Sequence, residues 1–594
     1  MYGWHGKLLR VNLTEEKAKI EDIDEHMLRT FLGGRGLGAK ILFDEVKPET
    51  DALGPGNKLI FTTGPLTGTS APTAGRYSIT SRSPLTGTIF DSNSGGHFGV
   101  ELKKCGIDAM VIEGCAQKLT YLFINDGSVE FRDAGEIVGL DTHKTTDYVV
   151  KHTDARARVA CIGPAGEKKV LFACIINDRH RAAGRGGLGA VMGSKQLKAI
   201  AVLGTHETQV ANPEEFEEAR KLAHEAIMKN PVTKDALPYY GTSVLVNIIN
   251  EIGALPTRNY QEGFFKDADA ISGETLRERI FVRKTACAQC PIGCGRVTKV
   301  GSEEGEGPEY ETIWAFGADC GINDIEAIAL ANYKCNKLGL DTITTGATIA
   351  CAMELSERGL LTDYIRFGNA DTMLQLIDKI ALREGIGDKL ANGSLRFAQD
   401  YNADYSMSVK GLEMPAYDPR GVQGMGLAYA TSNRGGCHLR GYMISAEVLG
   451  SPYMVDRLKT EGKAGLLVLF QNISAAVDSL VLCRFSQFAL NPEHYARMLS
   501  AVTGIEYTDT DLLTIGERIY NLERLYNVKA GAGEDTLPKR LLTEKLSAGH
   551  SKGHVVHLDV MLQEYYTIRG WDDKGRPEKE TISRLGIGGD VNAN

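Results

Sequence analysis

The chain has 594 residues, 43% of them apolar and 24% charged, with a net charge of -9. A single hydrophobic core stops growing near roughly 250–300 residues, so two to four domains are expected, and the ordinary composition excludes a disordered or fibrous protein. The charge gives no basic footprint for nucleic acid, no run of about 18 apolar residues could insert in a membrane, and Met1–Lys7 lacks the apolar core of an export signal; a cytoplasmic location with small-molecule and protein partners is expected.

From residue 1 to about 208 the chain reads as short strands and turns. Lys7–Leu13 alternates, Leu59–Thr63 and Arg76–Arg82 follow, and Tyr121–Phe131 folds back at Asn125-Asp126-Gly127. Glycine clusters at Gly33-Gly34-Arg35-Gly36 and Ser94-Gly95-Gly96 predict tight turns or close backbone approach. Near residue 209 the texture becomes helical: Asn212 precedes Pro213 and two glutamates as a helix start, Asn323 opens a helix running to Gly339, and Met373, Leu376, Ile377, Ile380 and Ala381 mark one apolar face ending at Gly385. Beyond about residue 412, Asn491-Pro492 starts a helix that Gly504 ends, and Leu512–Asn527 forms another. The predicted fold class is α+β: a β-rich N-terminal domain over 1–208, then two mainly helical domains over 209–412 and 413–594.

Twelve cysteines without an export signal argue for thiols and metal ligands over disulfides. Cys105, Cys115, Cys161, Cys174, Cys320, Cys335 and Cys351 stand alone in apolar or helical surroundings and read as structural thiols. Cys287, Cys290 and Cys294 form C-x₂-C-x₃-C, a compact loop whose Pro291 and Gly293 suit a backbone wrapped around a bulky object. An iron–sulfur cluster is favoured over zinc, because no histidine or second C-x₂-C lies nearby. A fourth ligand has to come from elsewhere, and spacing leaves Cys320, Cys335, Cys351, Cys437 and Cys483 as candidates. Gly184-Arg185-Gly186-Gly187-Leu188-Gly189 fits G-x-G-x-x-G, but Asn177–Ala183 separates it from the apolar run Val170–Ile176, which argues against a dinucleotide site.

Gly75-Arg76-Tyr77, Asp91-Ser92-Asn93-Ser94-Gly95-Gly96, Arg181-Ala182-Ala183-Gly184-Arg185-Gly186-Gly187 and Cys287–Cys294, in this order, resemble the tungsten-containing aldehyde:ferredoxin oxidoreductase family. The likeness runs from Gly6–Leu13 through Gly307–Thr312 to Asp535–Arg540. It implies a β-rich domain cradling two metallopterins on one tungsten, closed over by two helical domains. It also implies a [4Fe-4S] cluster whose fourth ligand is Cys483, in Asp478-Ser479-Leu480-Val481-Leu482-Cys483. Pterin contacts implied by the resemblance are Arg76, Asn93, Gly95, Arg181, Ala182, Ala183, Arg185, Leu340, Asp341, Asp478 and Leu482. In Asn336-Lys337-Leu338-Gly339-Leu340-Asp341, Asn336 stands where the family pattern has an aspartate, so a charge is lost there. A Mg²⁺ ion bridging the pterin phosphates near Asn93 and Ala183 is implied as well.

Oxidising an aldehyde to a carboxylic acid needs a base and a donor to the substrate oxygen beside the metal. The resemblance implies Glu311 as base and His438 as donor, with ferredoxin or an iron–sulfur partner subunit taking the electrons, and an oligomeric assembly is expected. His97 is a weaker candidate for the pocket, and His550, His554 and His557 read as a surface group. Two other readings are an aromatic-thioester ring reductase of the same family and an iron–sulfur electron-transfer subunit without metallopterin.

Overall fold

The computed structural model describes residues 1–588. Two six-stranded sheets occupy the first 203 residues. In the first, the spatial order is Lys17–Asp22, Lys7–Asn12, Ala109–Glu113, Leu59–Thr62, Tyr77–Arg82, Ile89–Ser94. All neighbours are antiparallel except Lys7–Asn12 and Ala109–Glu113. The second runs Arg181–Ala183, Ile175–Asn177, Arg158–Cys161, Leu197–Leu203, Thr120–Asn125, Ser128–Asp133, with one parallel pair at Leu197–Leu203 and Thr120–Asn125. The Asn125-Asp126-Gly127 hairpin is present, with Asn125 opposite Ser128.

Strand alternation fixes what each sheet face meets, because successive side chains point to opposite sides. Leu9, Val11, Phe61, Tyr77 and Ile79 of the first sheet share a core with Leu122, Ile124, Ile200 and Val202 of the second. The other face of the first sheet, with Leu8, Ile60 and Val111, packs under the helix Gly34–Glu45 and the C-terminal helices Lys463–Leu480 and Asp509–Lys529. The Gly33–Gly36 cluster allows this approach: a Cβ on Gly34 would lie 2.3 Å from the Asp478 carbonyl oxygen, and one on Gly36 2.7 Å from Ile519 Cδ1. Only glycine lets the two backbones meet so closely.

From Pro213 onward helices dominate, as the sequence indicates, although the cysteine loop is framed by a three-stranded antiparallel sheet, Phe281–Thr285, Gly295–Val300 and Glu303–Glu306. Its strands are short and charged, so no periodic apolar signal marks them. Pro213 is the first residue of the helix to Lys229, but Asn212 accepts no backbone N–H. The helix Ile325–Leu338 is capped by Asp324, whose carboxylate accepts the amides of Glu326 and Ala327, and not by Asn323. Met373, Leu376, Ile377, Ile380 and Ala381 are the buried face of Ala370–Leu382, which ends in a left-handed Arg383 before Gly385. Asn491 caps Pro492–Thr503 in a capping box, and Gly504 ends it at φ 71°. The run Val170–Ile176 gives only the three-residue strand Ile175–Asn177 between antiparallel neighbours, so no βαβ unit supports a dinucleotide. Among the described residues no helix is long and apolar enough to cross a membrane.

Candidate active site and cysteine centre

A cavity of about 320 Å³ opens between the strand ends of the first two sheets and the helical part. Cys287, Cys290, Cys294 and Cys483 all line it, together with Arg76, Gly95, Arg181, Ala182, Leu340 and Asp341. The cysteine loop is tied to the β-rich part by backbone bonds: Thr73 N–H donates to the Gln289 carbonyl at 2.8 Å and Ala288 N–H to the Gly96 carbonyl at 3.1 Å. Cys483 arrives from the opposite direction. The helix Lys463–Leu480 stops at Val481, which adopts φ 61°, and the ensuing turn sets the Cys483 amide 3.2 Å from the Thr73 carbonyl.

Burial pushes the Cys290 thiol up to about 11, with neighbouring thiols Cys483 and Cys287 adding to the shift. Burial likewise raises Cys294 far above the ordinary thiol range. Among the described residues no three His, Cys, Asp or Glu side chains converge closely enough for a single metal ion. The four thiols line one cavity. The other candidates for the fourth position lie elsewhere: Cys320, Cys335 and Cys351 are buried in helical core, and Cys437 is buried beside Arg434. Of the seven cysteines expected to be structural, all are buried except the half-buried Cys115.

Arg76 spans the gap between the β-rich part and the cysteines. Its Nε donates to Asn93 Oδ1, one Nη donates to the Asn93 carbonyl at 3.2 Å, and the other reaches Cys483 Sγ at 3.8 Å. Gly95 sits beneath, where a Cβ would lie 2.8 Å from Cys287 Sγ and 3.2 Å from Arg76 Nη1. Arg181 pairs with Glu306 at 2.8 Å, and its guanidinium is held charged despite burial by Cys287 and Glu306. Asp341 caps the helix Thr342–Glu357 and faces Arg185 Nε at 3.6 Å. Arg185 also donates to the carbonyls of Gly436, at 2.7 Å, and Glu413, fastening the strand ends to the segment that carries His438. Ala183, on the strand Arg181–Ala183, and Leu340 are buried, and Asn336 lines the cavity through a neutral amide.

Asp478 and Leu482 do not line this cavity. Asp478 belongs to a buried charge network in which Arg440 reaches it at 2.6 Å and Arg35 at 3.4 Å, while Arg440 also bonds Asp91 and Arg35 pairs with Glu523 at 2.6 Å. Leu482 is buried in the turn before Cys483.

Glu311 and His438 meet: Glu311 Oε1 and His438 Nε2 are 3.4 Å apart, and Glu311 Oε2 accepts the Ala416 amide at 2.9 Å. Burial pushes the Glu311 carboxyl up to about 8 and drives His438 well below 6.5, the guanidiniums of Arg185, Arg434 and Arg484 adding to the second effect. Both shifts disfavour charge, so near neutrality the contact is a carboxylic acid beside a neutral imidazole, not an ion pair. Tyr417 and Tyr442 wall the pair, with ring centroids 5.8 and 6.1 Å from that of His438 and hydroxyls 3.0 Å apart. Glu309 and Thr312, flanking Glu311 in sequence, face the cysteine cavity.

Several buried polar atoms around these groups lack a partner: Thr73 Oγ1, Asn93 Nδ2, Arg185 Nε, Arg484 Nη1, Glu311 Oε1 and His438 Nδ1. Buried polar groups are normally bonded, so unpartnered atoms at these positions fit a polar group seated against them. Sequence reasoning passed over Arg434, Arg440, Arg484, Tyr417 and Tyr442. Arg434 and Arg440 flank His438 closely in the chain, and a cationic rim around a histidine was the available signal. His97 is exposed at the start of a helix, and His550, His554 and His557 form no metal group among the described residues.

The model of the aldehyde ferredoxin oxidoreductase N-terminal domain matches residues 8–204, and that of domains 2 and 3 matches residues 218–587. The chain is 50% identical to the tungsten-containing aldehyde ferredoxin oxidoreductases of Thermococcus kodakarensis and Pyrococcus furiosus, over 99% of each chain. It is 32% identical to the WOR-like subunit of the aliphatic sulfonate oxidoreductase of Pyrococcus furiosus, over 99% of this chain and 98% of that one. Among solved structures it resembles the active site complex BamBC of benzoyl coenzyme A reductase with 1,5-dienoyl-CoA, at TM-score 0.86 and 27% identity, covering 99% of this chain and 97% of the other. The α+β class with its β-rich first part and helical remainder agrees with that family, and the chain belongs to the aldehyde ferredoxin oxidoreductases, making it an oxidoreductase.

Proposed function

We propose that the protein oxidises aldehydes to carboxylic acids at a tungsten bis-metallopterin centre and hands the electrons, by way of one [4Fe-4S] cluster, to ferredoxin or an iron–sulfur partner subunit. What carries this reading is the buried Glu311–His438 pair, with one unpartnered atom on each side chain, beside a cavity rimmed by four thiols. The relatives at 50% identity support aldehydes as substrates. The likeness to the ring reductase is more distant, at 27%.

Residues 1–208 would be the pterin cradle, 209–412 the part bearing three cluster cysteines, and 413–594 the part bearing Cys483 and His438. Cys287, Cys290, Cys294 and Cys483 would ligate the cluster. Arg76, Arg181 and Arg185 would supply forked donors to pterin and phosphate, with Asn93, Gly95, Ala182, Ala183, Leu340 and Asp341 approaching closely. Asp478 and Leu482 would act from behind, Asp478 by holding Arg440. Mg²⁺ would sit near the carbonyls of Asn93 and Ala183. The protein would act in the cytoplasm and as an oligomer.

When bound, the metallopterin supplies a two-electron acceptor and the cluster a one-electron relay. The chain's own residues manage the proton and the carbonyl. Neutral His438 donates one ring N–H to the substrate oxygen, while Glu311, once ionised, accepts a proton at Oε1 from water or the hydrated aldehyde. Tyr310, whose hydroxyl donates to the Ala416 carbonyl at 2.7 Å, joins Tyr417 and Tyr442 in excluding water from the pair. The test is turnover of a panel of aldehydes by protein purified without oxygen, with a viologen dye as acceptor. Dye reduction dependent on aldehyde is expected; dye reduction absent with every aldehyde in tungsten-loaded protein would overturn the reading.

A further inference from the structure

A second, larger cavity of about 710 Å³ shares no lining residue with the cysteine cavity. Its floor is aromatic, from Tyr239, Tyr240 and Phe281, and its rim is cationic, from Lys234, Arg277 and Lys284. The Arg277 guanidinium stacks 3.6 Å over the Tyr239 ring and 4.4 Å over that of Phe281, and donates to the Tyr239 carbonyl at 3.0 Å. Neighbouring Arg279 and Arg283 are neutralised by Glu326 and Glu304. The three rim cations have no such carboxylate among the described residues, and Asp235 is the single acid on the rim. Three unneutralised cations around the exposed Tyr239 ring and the half-buried rings of Tyr240 and Phe281 stand out on a chain whose net charge is -9.

The groove is short of the cysteine centre by very little chain. Lys284 lies on the strand Phe281–Thr285, three positions before Cys287. Tyr240, also lining the groove, precedes Gly241, where any Cβ would collide with Arg296, and Arg296 donates to the Cys294 carbonyl at 2.8 Å. Lys284 thus leads along one strand, and Tyr240 through Gly241, Arg296 and one hydrogen bond, to a cysteine of the centre.

We propose that this groove is the docking site for the electron acceptor, a small acidic iron–sulfur protein whose carboxylates meet Lys234, Arg277 and Lys284 and whose apolar contact covers Tyr239 and Phe281. Aromatic residues and arginine are the side chains that anchor transient interfaces, and rim charges steer the encounter. The proposal rests on the electron-transfer reading of the cysteine centre. The site is separate from the aldehyde pocket, so charge reversal here alters one half-reaction only.

The test compares wild type with Lys234→Glu/Lys284→Glu and with Lys234→Arg/Lys284→Arg, all in the holoenzyme. Both lysines are exposed, and neither ammonium group makes a hydrogen bond among the described residues, so folding is preserved. An acidic ferredoxin serves as the probe, in titration calorimetry and as acceptor beside a viologen dye. Charge reversal is expected to lower kcat/KM for ferredoxin roughly 10-fold or more at low salt, to flatten its salt dependence and to weaken binding, with the arginine variant close to wild type and the dye rate unchanged in both. Unchanged ferredoxin binding and kinetics in the glutamate variant would overturn the proposal. Loss of ferredoxin binding in a protein inert towards aldehydes would uphold the groove while removing the aldehyde reading.

Discussion

In the proposed reaction Glu311 is the residue on which the chemistry turns, because burial holds its carboxyl near 8, where a group can both accept and release a proton close to working pH. Activity should therefore rise with pH through about 8 as Glu311 ionises. Glu311→Gln should lower kcat by roughly 10²–10⁴-fold and abolish that rise, as a pH series of kcat/KM would reveal. The same shift has a stability consequence in cofactor-free protein. The folded chain keeps a proton that the unfolded chain releases above about 4.5, so wild type loses stability as pH climbs from about 4.5 to about 8 and no further. Denaturant titrations should show Glu311→Gln gaining on wild type across that window. Glu311 was legible only by family likeness, since a lone glutamate near a helix start is ordinary. Its partner His438 comes from a segment more than a hundred residues away in sequence, and so does Arg185, one of the guanidiniums that keep His438 neutral, a relation no local pattern encodes.

At the scale of elements, the cysteine loop is built by pieces from three places: the loop Cys287–Cys294, the Thr73–Gly96 strand ends, and the turn after the helix Lys463–Leu480. C-x₂-C-x₃-C announced three of the thiols, but the left-handed Val481 that turns Cys483 towards Thr73 has no sequence signature, since a β-branched residue disfavours that conformation. Cys483→Ser should reduce the iron held per chain and bleach the visible absorption of the protein, read by metal analysis and spectroscopy, while far-ultraviolet circular dichroism stays unchanged. Gly95→Val should do the same by crowding Cys287 Sγ and Arg76. Helices with strong apolar periodicity, such as Ala370–Leu382, were readable to within a few residues. The strands Phe281–Thr285 and Glu303–Glu306 were not, because exposed charged strands are held by their partners and by the loop they frame.

Across the whole molecule, the β-rich part and the C-terminal helices are fastened through buried charge: Arg35 from the glycine-rich helix is fully buried against Glu523, Asp478 and Asp91, and Arg440 joins the last two. The two chain segments are 488 residues apart. Glycine clustering foretold the close approach, whereas the ion network was invisible in sequence. Glu523→Gln removes the nearest counter-charge of Arg35 and leaves Asp478 and Asp91 at 3.4 and 3.8 Å, so it should cost at most about 3–5 kcal/mol, measurable by denaturant unfolding. The fold class and the order of its parts were thus legible, and the charges that lock them together were not. On the proposed reading this assembly closes over a tungsten bis-metallopterin beside a four-iron cluster. The most direct test is plasma mass spectrometry of protein purified without oxygen: about one tungsten, about four irons and at least about two phosphorus atoms per chain are expected, and iron without tungsten or molybdenum would contradict it.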